Sequence, residues 1–200
     1  MLLILSPYHF LIILQFQSIR SLKGQTEGIL YFSCSKNKNS KMDELQTTWE
    51  TEYLIRFPDC DPFNHLNNSR YLDYFINARE DHLLKFHHFN IYQLAKEKGI
   101  SWVVSKNQIV YLKPALLMET VIIQSTLIRM DESEIGVEMT MWNSDKTALK
   151  AFLWTNFVHF NLKTQRREKH SVDLMNAFQP YCISIPSSLQ FEQRLEQLRK

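Results

Sequence analysis

Apolar and polar residues alternate along residues 49–57 (WETEYLIRF), which puts Trp49, Thr51, Tyr53, Ile55 and Phe57 on one face. That period of two predicts a strand with one buried side, closed by Pro58. The period then changes. From Asn67 or Asn68 onward, Tyr71, Leu72, Phe75, Ile76, Leu83 and Phe86 recur at helical spacing, with Asp73, Asn77, Glu80 and Asp81 largely opposite. Asn67, Asn68 and Ser69 are all good N-caps, and His87 and His88 suit a solvated C-terminal end. Residues 91–98 predict a short second helix stopped by Gly99. Four β-like runs follow at 102–112, 119–130, 135–143 and 147–160, separated by Pro114, by the polar turn 131–133 and by the turn 143–145. Connections this short favour antiparallel neighbours. The order strand, long helix, four strands predicts an α+β fold in which one antiparallel five-stranded sheet packs on one helix.

The two ends read differently. Stretches 2–5 and 10–14 are apolar, but Pro7 and His9 interrupt them, and the run falls short of the ~20 residues of a spanning helix. There is neither a basic leader nor a small-residue cleavage site. Residues 36–41 (KNKNSK) are polar and linker-like. We therefore expect 1–41 to be a non-core extension, with no membrane contact by residues 1–14. The folded domain spans 42–165, and 166–200 form a C-terminal helical tail. In that tail Ser171 precedes a helix at 172–178, and Phe191, Leu195 and Leu198 share a stripe in a second one.

Composition mainly excludes. A net charge of +2 carries no polyanion signature, so no nucleic-acid partner is expected. Cys34, Cys60 and Cys182 are odd in number and widely spaced, which argues against a disulfide framework or a zinc site and suits a reducing cytoplasm. The four glycines form no P-loop, no GxGxxG and no GxSxG, so nucleotide-fold and serine-hydrolase chemistry lose their main motifs. Neither a metal nor a cofactor is expected.

The chemistry-bearing stretch lies between the first strand and the long helix. Asp59, Cys60, Asp61 and His65 sit in one short loop aimed at a helix start, whose first N–H groups have no partners within the helix and favour negative charge. Such a pairing is a candidate hydrolytic site, and its chemistry agrees with the thioester hydrolysis that the family resemblance given below implies. The leaving thiolate has a conjugate acid of pKa about 8.5, so one carboxylate plus an oxyanion site can suffice without a strong general acid. Taken alone, Asp59 reads as a turn or cap residue, Cys60 as a buried thiol, His65 as a packing or polarising group, and Tyr71 and Phe75 as helix core or pocket lining.

The run FPDCDPFNHLNNSRYLDYF resembles the signature of the hotdog acyl-CoA thioesterases of the 4-hydroxybenzoyl-CoA thioesterase type, and IVYLKPALLMET resembles that family's second strand and following turn. The resemblance covers residues 49–162. It implies a hotdog fold, with the sheet wrapped around the long helix, and a homodimer or homotetramer with active sites between subunits. It implies catalysis by Asp61, as nucleophile or general base, with His65 beside it. Backbone N–H near Asn67 and Asn68 would hold the thioester oxygen, and Tyr71 would reach the substrate. Arg166 and Arg167, with Lys163 and Lys169, could meet CoA phosphates or an acidic carrier protein, or form a solvated basic tail. The implied function is an acyl-CoA thioesterase. The alternatives are an acyl-acyl-carrier-protein thioesterase and a non-catalytic acyl-binding module. Two positions depart from family patterns. Asn64 stands where Gly is common, and Asn tolerates left-handed backbone. Phe63 stands where the plant-type carrier-protein enzymes have Asn.

Overall fold

The computed structural model describes residues 45–199; the expected extension 1–41, with its residues 1–14, lies outside them. β1 (Thr48–Leu54) is followed by a single 3-10 turn, then by the helices α1 (Asn68–His87) and α2 (Ile91–Lys98). The strands β2 (Ile100–Tyr111), β3 (Thr120–Met130), β4 (Glu134–Asn143) and β5 (Leu149–Asn161) come next. A two-residue β6 (Arg166–Arg167) and the helices α3 (Val172–Phe178) and α4 (Phe191–Leu198) complete the chain. The five long strands form one antiparallel sheet in the order β1-β3-β4-β5-β2, with β6 hydrogen-bonded to the end of β5. This is the antiparallel sheet on one helix that the element order predicted, in the hotdog arrangement that the family resemblance implied.

α1 lies on one face of the sheet because its buried stripe matches the strands' inward positions. Asn67 caps it through Oδ1, which accepts from the Ser69 N–H at 3.0 Å, and His88 ends it in left-handed backbone. The stripe is Tyr71, Phe75, Ala78, Arg79 and His82. It packs with Ile55, Leu66, Val121, Ile123, Met139, Met141, Ala151 and Leu153 into a single core. This corrects part of the sequence pattern. Phe86 is exposed and Leu83 only half-buried, whereas Arg79 and His82 go inside. The straight path along a helix follows steps of three and four residues, and it runs through 71, 75, 78 and 82.

Two further expectations shift. β1 stops at Leu54, and Phe57–Asp59 forms the 3-10 turn, so Phe57 leaves the strand face and is 74% exposed. Pro58 accounts for this, since it fixes φ and offers no N–H to the sheet. His87 is not solvated: its ring packs edge-on against Trp49 at 4.4 Å and Tyr181 at 4.7 Å.

The described residues all belong to one compact unit, and the C-terminal tail docks on the sheet. β5 is buried along most of its length because both faces are covered. Ala151 and Leu153 face α1, while Leu149 and Phe152 meet α4. Phe191 stacks on Phe152 with ring centroids 4.6 Å apart. Arg194 grips the buried Glu138 with two bonds, Nε to Oε2 at 2.9 Å and Nη2 to Oε1 at 2.8 Å.

Candidate active site

The loop between β1 and α1 is held by its own backbone and by the segment that follows β2. The Asp61 N–H donates to the His65 carbonyl at 2.8 Å, and the Asn64 N–H donates to the Asp61 carbonyl at 3.0 Å. Asn64 sits at φ 61°, the left-handed backbone that Asn tolerates and Gly takes freely. From the other side, the Leu66 N–H donates to the Ala115 carbonyl at 2.8 Å, and the Leu117 N–H to the Asn64 carbonyl at 2.9 Å. The loop thus pairs with a second stretch of chain along its length, which fixes its shape.

The two carboxylates differ. Asp59 Oδ2 accepts from the Tyr74 hydroxyl at 2.9 Å, its Oδ1 faces Arg70 at 3.7 Å, and its carbonyl accepts from the Asn67 N–H at 2.9 Å. Asp59 is therefore tied to α1. Asp61 makes the turn: its Oδ1 accepts from the N–H groups of Phe63 at 2.9 Å and His65 at 3.0 Å. The turn contact expected of Asp59 belongs to Asp61. Among the described residues nothing bonds the second oxygen, Oδ2, so one half of the carboxylate is anchored and the other is available.

The helix start matches this. The Asn68 N–H makes no hydrogen bond among the described residues, while Asn67 Oδ1 is occupied by the N–H and hydroxyl of Ser69. Tyr111, at the end of β2, donates its hydroxyl to the Asn68 carbonyl at 3.0 Å and braces the first turn. Tyr71 lies in the core, 2% exposed, where its hydroxyl accepts from the Ala115 N–H at 3.1 Å. It supports the loop from inside rather than facing a ligand in the single chain. His65 is half-buried in the loop beside the Phe63 ring. Cys60 donates its thiol to the Arg56 carbonyl, and burial together with the Asp59 and Asp61 charges pushes it up, away from the thiolate a nucleophile needs.

Arg166 and Arg167 are not part of this constellation within one chain. Ile100 pairs with Asn161 and Tyr111 with Ala151, so the arginine hairpin and the Asp61 loop lie at opposite ends of β5. At about 3.3 Å per residue that is roughly 33 Å. Arg167 is also ion-paired with Glu134. Sequence reasoning missed the bracing of Tyr111 and Tyr74; their aromatic character was visible, but their partners lie 43 and 15 residues away. No group of His, Cys, Asp and Glu among the described residues could hold a metal ion.

The sequence model of the thioesterase-like superfamily matches residues 55–178, which takes in the loop, all of α1 and the four strands after it. The chain belongs to the thioesterase-like superfamily. Among superfamily relatives, the long-chain acyl-CoA thioesterase FadM of Escherichia coli is 27% identical over 117 residues, 58% of this chain and 86% of that protein. A solved probable thioesterase, YbaW from Escherichia coli, superposes with a TM-score of 0.58 at 25% identity, over 66% of this chain and 97% of its own. Slr0204, a 1,4-dihydroxy-2-naphthoyl-CoA thioesterase from Synechocystis, shares the fold with a TM-score of 0.60 at 14% identity, over 66% of this chain and 96% of its own. The family match together with the similarity to FadM makes the chain a thioester hydrolase.

Proposed function

We propose that the protein hydrolyses acyl-CoA thioesters at the loop between β1 and α1, with Asp61 as the reacting carboxylate. The observation that carries this reading is the division of labour at Asp61. Two backbone N–H groups fix one oxygen, and among the described residues neither the other oxygen nor the Asn68 N–H at the helix start has a partner. A thioester carbonyl placed between them would meet a carboxylate on one side and a hydrogen-bond donor for its developing oxyanion on the other. Asp61 then either attacks the carbonyl carbon or takes a proton from an attacking water, and the thiolate leaves without needing a strong acid. We assign His65, whose backbone N–H donates to Asp61 Oδ1, the role of polarising the carbonyl, and Asn67 caps the helix start. The similarity to FadM favours an acyl-CoA as the substrate.

A single chain supplies only part of such a site, and a homodimer would complete it. Phe57, Phe63 and Met118 are each more than 60% exposed, with Leu116 and Tyr111 partly exposed nearby, an apolar surface that water does not favour. β2 is an edge strand with free backbone groups. Two β2 edges pairing antiparallel about a two-fold axis would carry Arg166 of the partner subunit from its own end of the strand toward this chain's Asp61 end, within reach of a CoA phosphate. The free thiols Cys60 and Cys182 suit a reducing compartment, so we assign the cytoplasm. No described helix is long and apolar enough to cross a membrane.

Incubation with a panel of acyl-CoAs while free thiol is followed tests the reaction. Turnover with acyl-CoA is expected, and Asp61→Asn should lower kcat by roughly 10²-fold or more with the melting curve unchanged. Binding of acyl-CoA without thiol release would instead make the protein an acyl-binding module, and turnover confined to acyl-carrier protein would move the substrate.

A further inference from the structure

At the other end of α1 lies a cavity that the Asp61 loop does not use. It is walled by Trp49, Leu83, Phe89, Leu127, Val137 and Phe178, and its volume of about 70 Å³ far exceeds the ~10–15 Å³ that one water needs. Arg79 opens into it. Arg79 is 7% exposed, and its guanidinium makes no hydrogen bond or ion pair with any described residue. Phe157 covers one face, with its ring centroid 4.0 Å from Cζ. A ring on the face leaves the in-plane N–H edge free.

The charge balance of this cavity is one-sided. No described Asp or Glu lines it, and the acid that acts on Arg79 is Glu80, its neighbour in α1. His82 has both ring nitrogens engaged, by Ser125 Oγ at 2.6 Å and Thr51 Oγ1 at 3.0 Å, and His87 is packed between Trp49 and Tyr181. Burial keeps both imidazoles neutral at neutral pH, whereas Arg79, drawn down to about 10 by burial, stays charged. A cation held in an apolar pocket with no hydrogen-bond or ion-pair partner among the described residues favours an anion beside it. We propose that this cavity is a second ligand site, taking a compact carboxylate with an apolar tail whose two oxygens meet the in-plane edge of Arg79. A free inorganic anion would leave the apolar walls wet, and an uncharged tail would leave the guanidinium unpaired; a carboxylate with a tail satisfies both. Arg79 stands eleven residues beyond Asn68 in α1, about 16 Å along the helix axis. The site is therefore separate from the Asp61 loop and does not depend on the reaction proposed there.

Calorimetry on the full chain with octanoate and benzoate, against octanol and octylamine, tests the proposal. Quenching of tryptophan fluorescence by 8-bromo-octanoate gives a local readout, because Trp49 and Trp102 both line the cavity. The carboxylates should bind, and the alcohol and the amine should bind at least ten-fold more weakly. Arg79→Met should weaken octanoate binding ten-fold or more, Arg79→Lys should fall between, and Leu127→Trp should block the cavity. Asp61→Asn should leave the same quenching in place, which separates this site from product binding at the loop. Octanoate bound as well by Arg79→Met as by the wild type, no carboxylate binding at millimolar concentration, or quenching lost on Asp61→Asn instead would each overturn it. If Arg79→Met does not fold, the Lys and Leu127→Trp variants decide between the same outcomes.

Discussion

His82 shows how burial turns a titratable residue into a pH-dependent term in stability. Its ring is 2% exposed and bridges Ser125 on β3 and Thr51 on β1. Desolvation, the largest cause, lowers it from 6.5 to about 4. The folded state thus holds the neutral imidazole, while the unfolded chain takes up a proton below about 6.5. The unfolded state then binds more protons, so stability is lost as pH falls from about 6.5 toward about 4. The loss is of the order of 2 kcal/mol. Urea unfolding at a series of pH values should show this slope, and His82→Gln should flatten it; His87 and His170, also lowered by burial, would supply the remainder. An identical slope in the variant would remove His82 from the account. The Asp pair makes a second contrast at this scale. Asp59→Asn weakens the contacts to Tyr74 and Arg70 and should cost about 1 kcal/mol of stability with kcat largely kept, the reverse of what is expected of Asp61→Asn. Reversed outcomes, read from melting curves and kcat side by side, would exchange the two roles.

Among the elements, α4 carries a clear expectation. It is a two-turn helix, too short to persist alone in water, so its stability comes from its docking on β4 and β5. At its N-terminus the Gln190 N–H donates to Gln193 Oε1 at 3.0 Å. Phe191 is 5% exposed and stacks on Phe152, and Arg194 satisfies the buried Glu138. Phe191→Ala should lower stability by about 3 kcal/mol or more, the range for a buried Phe. Binding of a dye for exposed apolar surface should rise, because Phe152 and Leu149 lose their cover. A variant that melts as the wild type does would mean that the helix is dispensable. In α1 the cap, the twenty residues and the continuous buried stripe agree with one another, so local preference and tertiary packing favour the same helix.

For the whole molecule the open question is assembly. The edge of β2 and the exposed apolar residues around the Asp61 loop lie together, where Tyr111 reaches the helix start. Mass measured in solution at micromolar concentration should exceed one chain. A charged substitution on that edge, Val104→Glu, should shift the mass toward the monomer and reduce turnover together, if the partner contributes to the site. Full turnover from a clean monomer would contradict the shared site.

The sequence by itself determined the element order, because periods of two and of 3.6 are local properties that neighbouring residues express without knowing the fold. Five strands, a long helix starting near Asn67 to Ser69 and a short helix at 172–178 were all legible, as was the loop whose Asn64 tolerates a left-handed turn, whereas the choice of Asn67 as cap came from the structure. Only the tertiary structure decided which residues meet. It sent Arg79 and His82 inward although polar character pointed them out, since a helix fixes its buried face by axial geometry and the sheet supplies hydroxyls for the imidazole. It gave Asp61, not Asp59, the turn hydrogen bonds, a matter of φ and ψ that two neighbouring acids of the same type cannot reveal. It also carried Arg166 and Arg167 to the far end of the sheet. Proximity in sequence to a strand's end says nothing about which end of the molecule that is until strand pairing sets it.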